Sequence, residues 1–459
     1  MVLRVFRHFV RSSIIYLAFG DLLLVFIAFH LISRETSLLS TQLFDTLGSP
    51  SLKLSAIIAV GALASGLYDR KSFSNYRAMA TQILWSLIFT ITAISSTFFF
   101  LANWSGPFDW FWEVQKAALV WLICILLTRA VFVTVADLDA FKRRILVLGS
   151  GDKAARIAAI SEGRGARFLP VAFVHERSAA EPPEISASDD NALLRQALAL
   201  QVNEIVVASD DRRGAPVRVL LMCRREGVKV TSYLDFIERE TNSIDVEALQ
   251  PGWLVFADGF RFSWGARFWK RSADIALSVA LLLLTLPLLL FTSVLVMIDS
   301  SGPVLLRQER VGLGGRTFVL LKFRSMFADA EKDGVARWAT LGDCRVTRVG
   351  RFIRKFRIDE LPQLLNVLRG DMSVVGPRPE RPVFVEELTK QLPFYKERHW
   401  VKPGITGWAQ IKYRYGASLE DARVKLSYDL YYIKNHGLFL DLLIALQTVR
   451  VILRGEGAL

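Results

Sequence analysis

The chain has 459 residues, of which 52% are hydrophobic, and its mean hydropathy of +0.33 excludes an ordinary soluble enzyme. Its net charge of +13 fits a protein at an anionic membrane leaflet that handles anionic substrates. Its three dispersed cysteines exclude a disulfide framework and a CxxC metal site, and no nucleic-acid-binding module is present, so we expect no nucleic acid partner.

Four apolar stretches in the first third of the chain predict a transmembrane bundle. They cover Ser13–Ile32, Leu54–Tyr68, Ile83–Ala102 and Phe111–Ala136. Basic residues precede the first stretch, separate the second from the third and follow the fourth, whereas the loop at 103–110 is aromatic and has no basic residue. We therefore expect residues 1–138 to form a four-helix transmembrane bundle with both ends in the cytoplasm.

Residues 139–245 are predicted to form a Rossmann-like α/β domain. An apolar strand ends at Gly149, and the Gly149-Ser-Gly151 turn leads into a helix, a variant of the dinucleotide fingerprint. Further strands over Phe168–Val174 and Glu204–Ser209 alternate with helix-like segments, which indicates a parallel sheet. Gly149 and Gly151 either bind a nucleotide or only allow a strand and a helix to pack closely, and the pattern favours close packing.

A linker over residues 246–264 leads to a fifth apolar stretch, Ile275–Ile298. Basic residues flank both of its ends, so a straight span would place bases on both sides of the membrane. Pro287 near its middle favours a helix over residues 272–298 that breaks and leaves the membrane by the face it entered. An ordinary fifth span is the alternative.

The residues suited to chemistry are concentrated between Arg345 and Gln410. The adjacent carboxylates Asp359 and Glu360 follow a run of arginines, and Arg378 lies in a Gly-Pro-Arg-Pro turn. Guanidinium groups bind phosphate oxygens in pairs, and one carboxylate can hold Mg2+ while the other attacks phosphorus. The pattern indicates a phosphoryl-transfer site. In the structural alternative, the Asp-Glu pair only begins a helix and the bases lie on lipid headgroups.

Five ordered motifs resemble those of the bacterial sugar transferases that are monotopic phosphoglycosyl transferases, in particular the large, exopolysaccharide-associated type. The motifs are Lys322-Phe-Arg-Ser-Met, Asp359-Glu-Leu-Pro-Gln, Gly370-Asp-Met-Ser, Gly376-Pro-Arg-Pro and Lys402-Pro-Gly-Ile-Thr-Gly-Trp-Ala-Gln. The resemblance implies that residues 265–459 form an α-rich monotopic catalytic domain with a re-entrant membrane helix, whose break is shaped by Ser278 and Pro287.

The same resemblance implies the reaction and the residues that carry it out. The family transfers a sugar-1-phosphate from a UDP-sugar to polyprenyl (undecaprenyl) phosphate and releases UMP. Asp359 is then the nucleophile that forms a covalent phospho-sugar aspartyl intermediate, and Glu360 is the Mg2+ ligand. Asp429, in a later family motif, contacts either Mg2+ or an active-site arginine.

Five basic residues are implied to bind substrate phosphates. They are Arg354, Arg378, Arg414, Lys322 and Arg324. The last two are expected at the membrane face, beside the lipid phosphate. Arg414 departs from the family pattern, because it follows Lys412-Tyr413 where the family often has Asn-Gly-Arg, and this difference bears on substrate choice.

Two other functions fit parts of the chain. A membrane-tethered nucleotide-sugar oxidoreductase or epimerase would use the middle domain, but no Tyr-x-x-x-Lys pair occurs between residues 140 and 260. A scaffold of a polysaccharide assembly complex would leave the Asp-Glu pair without a use. We expect a multi-pass enzyme of the bacterial inner membrane that initiates exopolysaccharide or glycan repeat units from the cytoplasmic face. The sugar and the polysaccharide stay open, and a bundle joined to a soluble domain favours a homodimer.

Overall fold

The computed structural model describes most of the chain in two compact units. The described residues are 2–5, 8–35, 58–59, 61–62, 65, 67–68, 76–101, 109–136, 142–149, 151–163, 166, 168–174, 192–209, 216–260, 263–328, 330, 343–413, 416 and 418–453. The first unit comprises Met1–Leu3 and Val10–Thr241, and the second comprises Arg4–Phe9 and Asn242–Leu459.

Apolar helices form the first part of the first unit. Two short paired strands, Val2–Val5 and His8–Arg11, precede the helices Ser12–Glu35, Tyr76–Leu101 and Asp109–Ala136. The predicted second span, Leu54–Tyr68, lies largely outside the described residues. Buried apolar side chains on all three helices, including Val25, Ile83 and Trp121, form one core. Many other leucines and isoleucines of these helices are exposed.

A buried ion pair joins two of these apolar helices. Arg129 and Asp21 lie 3.0 Å apart, and the hydroxyl of Tyr68 donates to the same carboxylate over 2.8 Å. Arg129 is only 1% exposed. Charges in apolar surroundings are stable only when they are paired, so this contact fixes how the first and last described helices of the bundle face each other.

A four-stranded parallel sheet forms the second part of the first unit and confirms the predicted parallel sheet. Its strands are, in spatial order, Phe168–Val174, Arg143–Leu148, Glu204–Val207 and Lys229–Ser232. The accompanying helices are Asp152–Glu162, Ala192–Ala199, Val217–Arg225 and Tyr233–Thr241. Gly149 directly follows the strand Arg143–Leu148 and has a φ of +131°. A Cβ at this position would lie 2.6 Å from the carbonyl oxygen of Ala208. This close approach accounts for Gly149, and Gly151 directly precedes the helix Asp152–Glu162.

The second unit begins with a segment that packs on later helices. The amide of Ile244 donates to the carbonyl of Ser427 over 3.0 Å, and the indole of Trp408 donates to the carbonyl of Asn242 over 3.0 Å. Leu249, within the predicted linker, is buried. The start of that linker is therefore an integral part of the second unit.

The longest helix, Trp264–Asp299, is apolar and is long enough by length and composition to cross a membrane; among the described residues no other helix is. The helix continues through Pro287, where the sequence predicts a break. Towards its start, Asp274 accepts a hydrogen bond from the hydroxyl of Ser373, and at its end Asp299 accepts one from the amide of Val349. Both ends are therefore fixed to the second unit.

The remaining elements of the second unit surround a short strand pair. An antiparallel hairpin of Leu305–Val311 and Thr317–Phe323 is followed by the helix Arg348–Lys355, the 3-10 turn Ile358–Glu360 and the helix Gln363–Arg369. Strand Ser373–Val375 then pairs in parallel with Gly404–Thr406. The other elements are Pro251–Phe256, Leu313–Gly315, Pro382–Gln391, Lys396–Trp400, Trp408–Lys412, Leu419–Asn435 and Leu438–Leu453.

Candidate functional site

A tight turn places two adjacent carboxylates inside the second unit. The helix Arg348–Lys355 ends just before Arg357, which adopts a left-handed conformation with φ of +54°. Such a conformation is uncommon for a residue other than glycine and is typical of functional sites. It redirects the chain into the 3-10 turn that carries Asp359 and Glu360, both of which are less than 10% exposed. The turn thus buries two neighbouring carboxylates, which requires compensating positive charge.

Two arginines supply that charge to Glu360. The guanidinium of Arg378 lies 3.0 Å from Oε1 of Glu360, and that of Arg357 lies 3.2 Å from the same oxygen. Burial acts to raise the pKa of Glu360, but Arg378 and then Arg357 overcome it and hold the pKa at about 2. The second oxygen, Oε2, is buried and has no hydrogen-bond partner among the described residues.

Asp359 experiences the opposite effect. Burial and then the charge of Glu360 raise the pKa of Asp359 to about 6, against the opposing charges of three basic groups. These three are Lys322, Arg354 and Arg378. Adjacent groups whose surroundings drive their pKa values apart are typical of active sites, where each group has a different task.

Lys322 and Arg354 both lie close to the carboxylates, although Lys322 was expected at the membrane face beside the lipid phosphate. Lys322 is on the second strand of the hairpin, and burial, reinforced by Arg310, lowers its pKa to about 8. Arg354 is on the last turn of the helix that precedes the carboxylates. Together with Arg378 they form a basic wall on which phosphate oxygens can bind.

Arg324, which was expected beside the lipid phosphate, contacts the main chain at the end of the long helix. Its guanidinium donates to the carbonyls of Val296, Ser300 and Pro303, at distances of 3.3, 2.5 and 2.6 Å. A helix leaves its last carbonyls without intrahelical partners, and a buried arginine can satisfy them. Arg324 therefore fixes the end of the long helix to the hairpin, and its two terminal nitrogens donate to backbone carbonyls.

Glycines in two motifs allow close packing of the turn that presents Arg378. The amide of Gly376 donates to the carbonyl of Thr406, and the amide of Gly404 donates to that of Pro377, both over 2.9 Å. A Cβ at Gly376 would overlap the carbonyl oxygen of Lys402, and a Cβ at Gly404 would overlap the amide of Gly376. Only glycine fits at these two positions, which explains why two distant motifs meet in one strand pair.

Asp429 pairs with an arginine that the sequence analysis did not single out. Arg398 donates to Oδ2 of Asp429 and to the main-chain carbonyl of Arg378, both over 2.9 Å. Burial raises the pKa of Asp429 to about 6, against the lowering effect of Arg398. The sequence left open whether Asp429 contacts Mg2+ or an arginine, and in the structure it contacts an arginine. Arg414 lies outside the described residues.

Arg357 and Arg398 are the two residues of the site that the sequence analysis missed. Arg357 stands in the arginine run only two positions before Asp359, but its left-handed conformation is not visible in the sequence. Arg398 precedes the Lys402-Pro-Gly motif and looks like a surface base. Its burial is a tertiary property.

The residues fit Mg2+ better than a metal held by protein ligands alone. Among the described residues no group of three or more His, Cys, Asp or Glu side chains can hold a metal ion. Mg2+, however, is commonly bound by one or two carboxylates together with substrate phosphates. The buried, unpartnered Oε2 of Glu360 matches this requirement.

Comparisons with known proteins identify the family and several relatives of this chain. The profile of the family described as Bacterial sugar transferase matches residues 265–455. One relative is the UDP-N-acetylgalactosamine-undecaprenyl-phosphate N-acetylgalactosaminephosphotransferase of Aeromonas hydrophila, to which the chain is 45% identical over 252 residues. These aligned residues cover 54% of this chain and 58% of that protein. The chain is also 33% identical over 315 residues to the undecaprenyl-phosphate glucose phosphotransferase of Komagataeibacter xylinus. These aligned residues cover 67% of this chain and 58% of that protein.

A shorter relative is covered more completely. The chain is 44% identical over 191 residues to the UDP-glucose:undecaprenyl-phosphate glucose-1-phosphate transferase of Caulobacter vibrioides. These aligned residues cover 41% of this chain and 71% of that protein. The chain thus spans 58% of the length of each of the two longer relatives and most of the shorter one.

Proposed function

Because this chain belongs to the bacterial sugar transferase family, we propose that it transfers a sugar-1-phosphate from a UDP-sugar to a polyprenyl phosphate and releases UMP. The observation that carries this proposal is the buried Asp359–Glu360 pair with opposed pKa shifts beneath a basic wall. The names of the relatives specify undecaprenyl phosphate as the acceptor, and N-acetylgalactosamine or glucose as the sugar. The donor sugar of this chain is therefore sought among these and related UDP-sugars, for the first step of a glycan repeat unit.

The proposed reaction consists of two displacements at one phosphorus atom. A carboxylate oxygen of Asp359 attacks the sugar-bearing phosphorus of the UDP-sugar and forms an O–P bond. The bond from that phosphorus to the bridging oxygen breaks, and UMP leaves with the bridging oxygen and its electron pair. A phosphate oxygen of the polyprenyl phosphate then attacks the same phosphorus and releases the carboxylate of Asp359. One phosphate-binding site thus serves both half-reactions.

The neighbouring residues hold charge in place during these steps. Arg378, Arg354 and Lys322 bind the oxygens of the transferred phosphate, which carry negative charge throughout. Glu360 would hold Mg2+ through its unpartnered Oε2, because Arg357 and Arg378 occupy Oε1. When bound, Mg2+ neutralises the diphosphate and stabilises the departing UMP. For Asp429 the ion pair with Arg398 supports the arginine-pairing role over that of a second metal ligand.

We propose further that the first described helices belong to a four-helix transmembrane bundle and that the parallel sheet is a Rossmann-like domain. The ion pair inside the bundle and the exposed leucines around it support the first assignment. Close packing accounts for Gly149, so nucleotide binding by Gly149 and Gly151 is a separate hypothesis that isothermal titration with nucleotides would address.

A re-entrant course for the long helix is supported by its contacts. Asp274 and Asp299 both bond to the second unit, and between them Leu283 and Leu284 are 69% and 78% exposed. A straight helix would extend about 38 Å between these two aspartates and would expose the leucines to water along the way. A bend at Pro287 instead takes them into the bilayer and returns the chain to the same face.

Release of UMP tests the proposed function. The detergent-purified protein is incubated with Mg2+ and a panel of UDP-sugars, with and without undecaprenyl phosphate. We expect multiple-turnover UMP release that requires the lipid and one sugar, because the lipid must clear the aspartyl intermediate. Folded protein that releases no UMP from any donor would contradict the proposal.

The native thiol of Cys344 tests the side of the membrane on which the second unit lies. Cys344 is exposed, whereas Cys124 and Cys223 are buried. In intact cells a membrane-impermeant maleimide should leave Cys344 unlabelled, and lysis should expose it. Cys344→Ser identifies the signal, and Ser105→Cys, in the loop predicted outside, serves as the positive control. Labelling of Cys344 in sealed cells would contradict the re-entrant course.

A further inference from the structure

The turn at residues 376–379, which presents Arg378, is held by its main-chain carbonyls. The carbonyl of Pro377 accepts from the amide of Gly404, and that of Pro379 accepts from the guanidinium of Arg310 over 3.1 Å. The next carbonyl, that of Glu380, accepts from the amide of Val311 over 2.9 Å. The carbonyl of Arg378 itself lies between these and accepts from Arg398. Four consecutive carbonyls are thus engaged by four different partners.

Arg398 is the partner whose burial is hardest to explain by stability alone. It is 6% exposed, and Asp429, with which it pairs, is 2% exposed. Desolvation of two charges offsets much of their attraction, so a buried pair is weak support for a purely stabilising role. Arg398 also donates to the hydroxyl of Tyr395 over 2.5 Å, and its guanidinium lies 5.0 Å from the centre of that ring. Its donors therefore point in fixed directions, one of them at the carbonyl of Arg378.

The side chain of Arg378 contrasts with its immobilised backbone. It is 41% exposed, and its guanidinium reaches Glu360 across 3.0 Å. A solvated side chain of this length samples several rotamers, so its reach depends on where the main chain is fixed. Any shift of the carbonyl of Arg378 displaces the guanidinium relative to both Glu360 and the transferred phosphate.

We propose that the Arg398–Asp429 pair is a positioning device that sets the location of Arg378 for phosphate transfer. This inference rests on the proposed function, because it assigns Arg378 a substrate phosphate. Arg398 does not contact the substrate in this account. It acts through the main chain of Arg378, and Asp429 orients its guanidinium. Arg398 and Asp429 are therefore positioning residues for the reaction.

A double-mutant cycle with turnover as the readout tests the proposal. Arg398→Lys keeps the charge opposite Asp429, but an ammonium cannot reach Tyr395, Asp429 and the carbonyl of Arg378 with the same geometry. We expect kcat/KM to fall on the order of 10- to 100-fold, mainly through kcat, as it does when a reacting group is misplaced. In an Arg378→Ala background the same substitution should cost less than about 3-fold, because the residue through which it acts is gone.

A matched control comes from the helix Tyr233–Thr241 of the first unit. Arg239 pairs with Glu204 over 2.9 Å and is buried to the same degree, with its side chain 7% exposed. Arg239→Lys is expected to lower the melting temperature as Arg398→Lys does. It should leave kcat/KM unchanged when it is added to the wild type and also when it is added to Arg378→Ala. If Arg398→Lys fails to fold, Asp429→Asn takes its place in the double-mutant cycle. Its effect on kcat/KM should likewise be lost in the Arg378→Ala background.

The outcomes separate this inference from the proposed function. An active wild type with a non-additive cycle supports the positioning role. An active wild type in which Arg398→Lys costs the same factor in both backgrounds, or costs nothing in a folded protein, overturns it and leaves the transferase intact. A wild type that turns over no UDP-sugar overturns the proposed function, and the positioning role falls with it.

Discussion

Asp359→Asn is expected to abolish turnover in a protein that remains folded and in the membrane. The amide cannot attack phosphorus, so UMP release should fall by at least about 10³-fold, in the range seen when covalent nucleophiles are removed. The measurement is UMP release at saturating UDP-sugar and lipid. Asp245→Asn serves as the control, because Asp245 is equally buried in the same unit and has no role in the reaction, and it should retain activity.

The same substitution should not lower stability. The pKa of Asp359 is raised from 3.8 to about 6 in the folded protein, so above pH 6 its carboxylate opposes folding by roughly 2–3 kcal/mol. Asparagine removes this cost, and its advantage should vanish as the pH falls below 3.8, where the wild-type group is neutral in both states. A variant that is inactive but melts well below the wild type at pH 8 would show that Asp359 is structural.

Glu360→Gln is expected to be nearly as damaging to turnover, but with the opposite effect on stability. We expect UMP release to fall by about 10²–10³-fold, because the carboxylate proposed to hold Mg2+ is lost. The pKa of Glu360 is lowered from 4.5 to about 2, so its charge stabilises the fold above pH 4.5 and this contribution is lost as the pH falls towards 2. Glu360→Gln should therefore lower the free energy of unfolding by about 1–3 kcal/mol at pH 8. This range is reduced for solvent screening, because Arg378 is partly exposed.

Titration with Mg2+ distinguishes a metal ligand from a structural carboxylate at this position. The residual activity of Glu360→Gln should need more Mg2+ than that of the wild type, and binding of Mn2+ followed by electron paramagnetic resonance should weaken in parallel. Glu204→Gln is the control, since Glu204 is buried and paired with Arg239 in the first unit. An unchanged Mg2+ requirement in Glu360→Gln would exclude Glu360 as the ligand.

The sequence could predict the Asp-Glu pair and much of its surroundings because motif spacing reflects local chain geometry. The arginine run, the two carboxylates and the Gly-Pro-Arg-Pro turn lie within a short segment, and Arg354 and Arg378 are close to Asp359. The parallel sheet was predictable for a similar reason, since apolar strands separated by helical segments can pair only through crossovers.

What the sequence could not show depends on burial and on contacts between distant segments. In the amino-acid sequence Arg324 and Arg398 look like surface bases, yet both are buried and both donate to backbone carbonyls. Asp21 and Arg129 are more than a hundred residues apart, so their pairing inside the apolar helices could not be predicted from local composition. The helix Trp264–Asp299 also continues through Pro287, where local composition predicted a break.

Mass spectrometry of the intact protein can detect the covalent attachment of the sugar phosphate to Asp359 that we propose. The purified protein is mixed with the active UDP-sugar and Mg2+ in the absence of lipid and is quenched within one turnover. We expect a mass gain of one sugar-1-phosphate less water, located on the peptide that contains Asp359. The gain should be absent in Asp359→Asn and should be removed by undecaprenyl phosphate. Lipid-dependent UMP release without any such adduct, or an adduct on another residue, would contradict the proposed attachment.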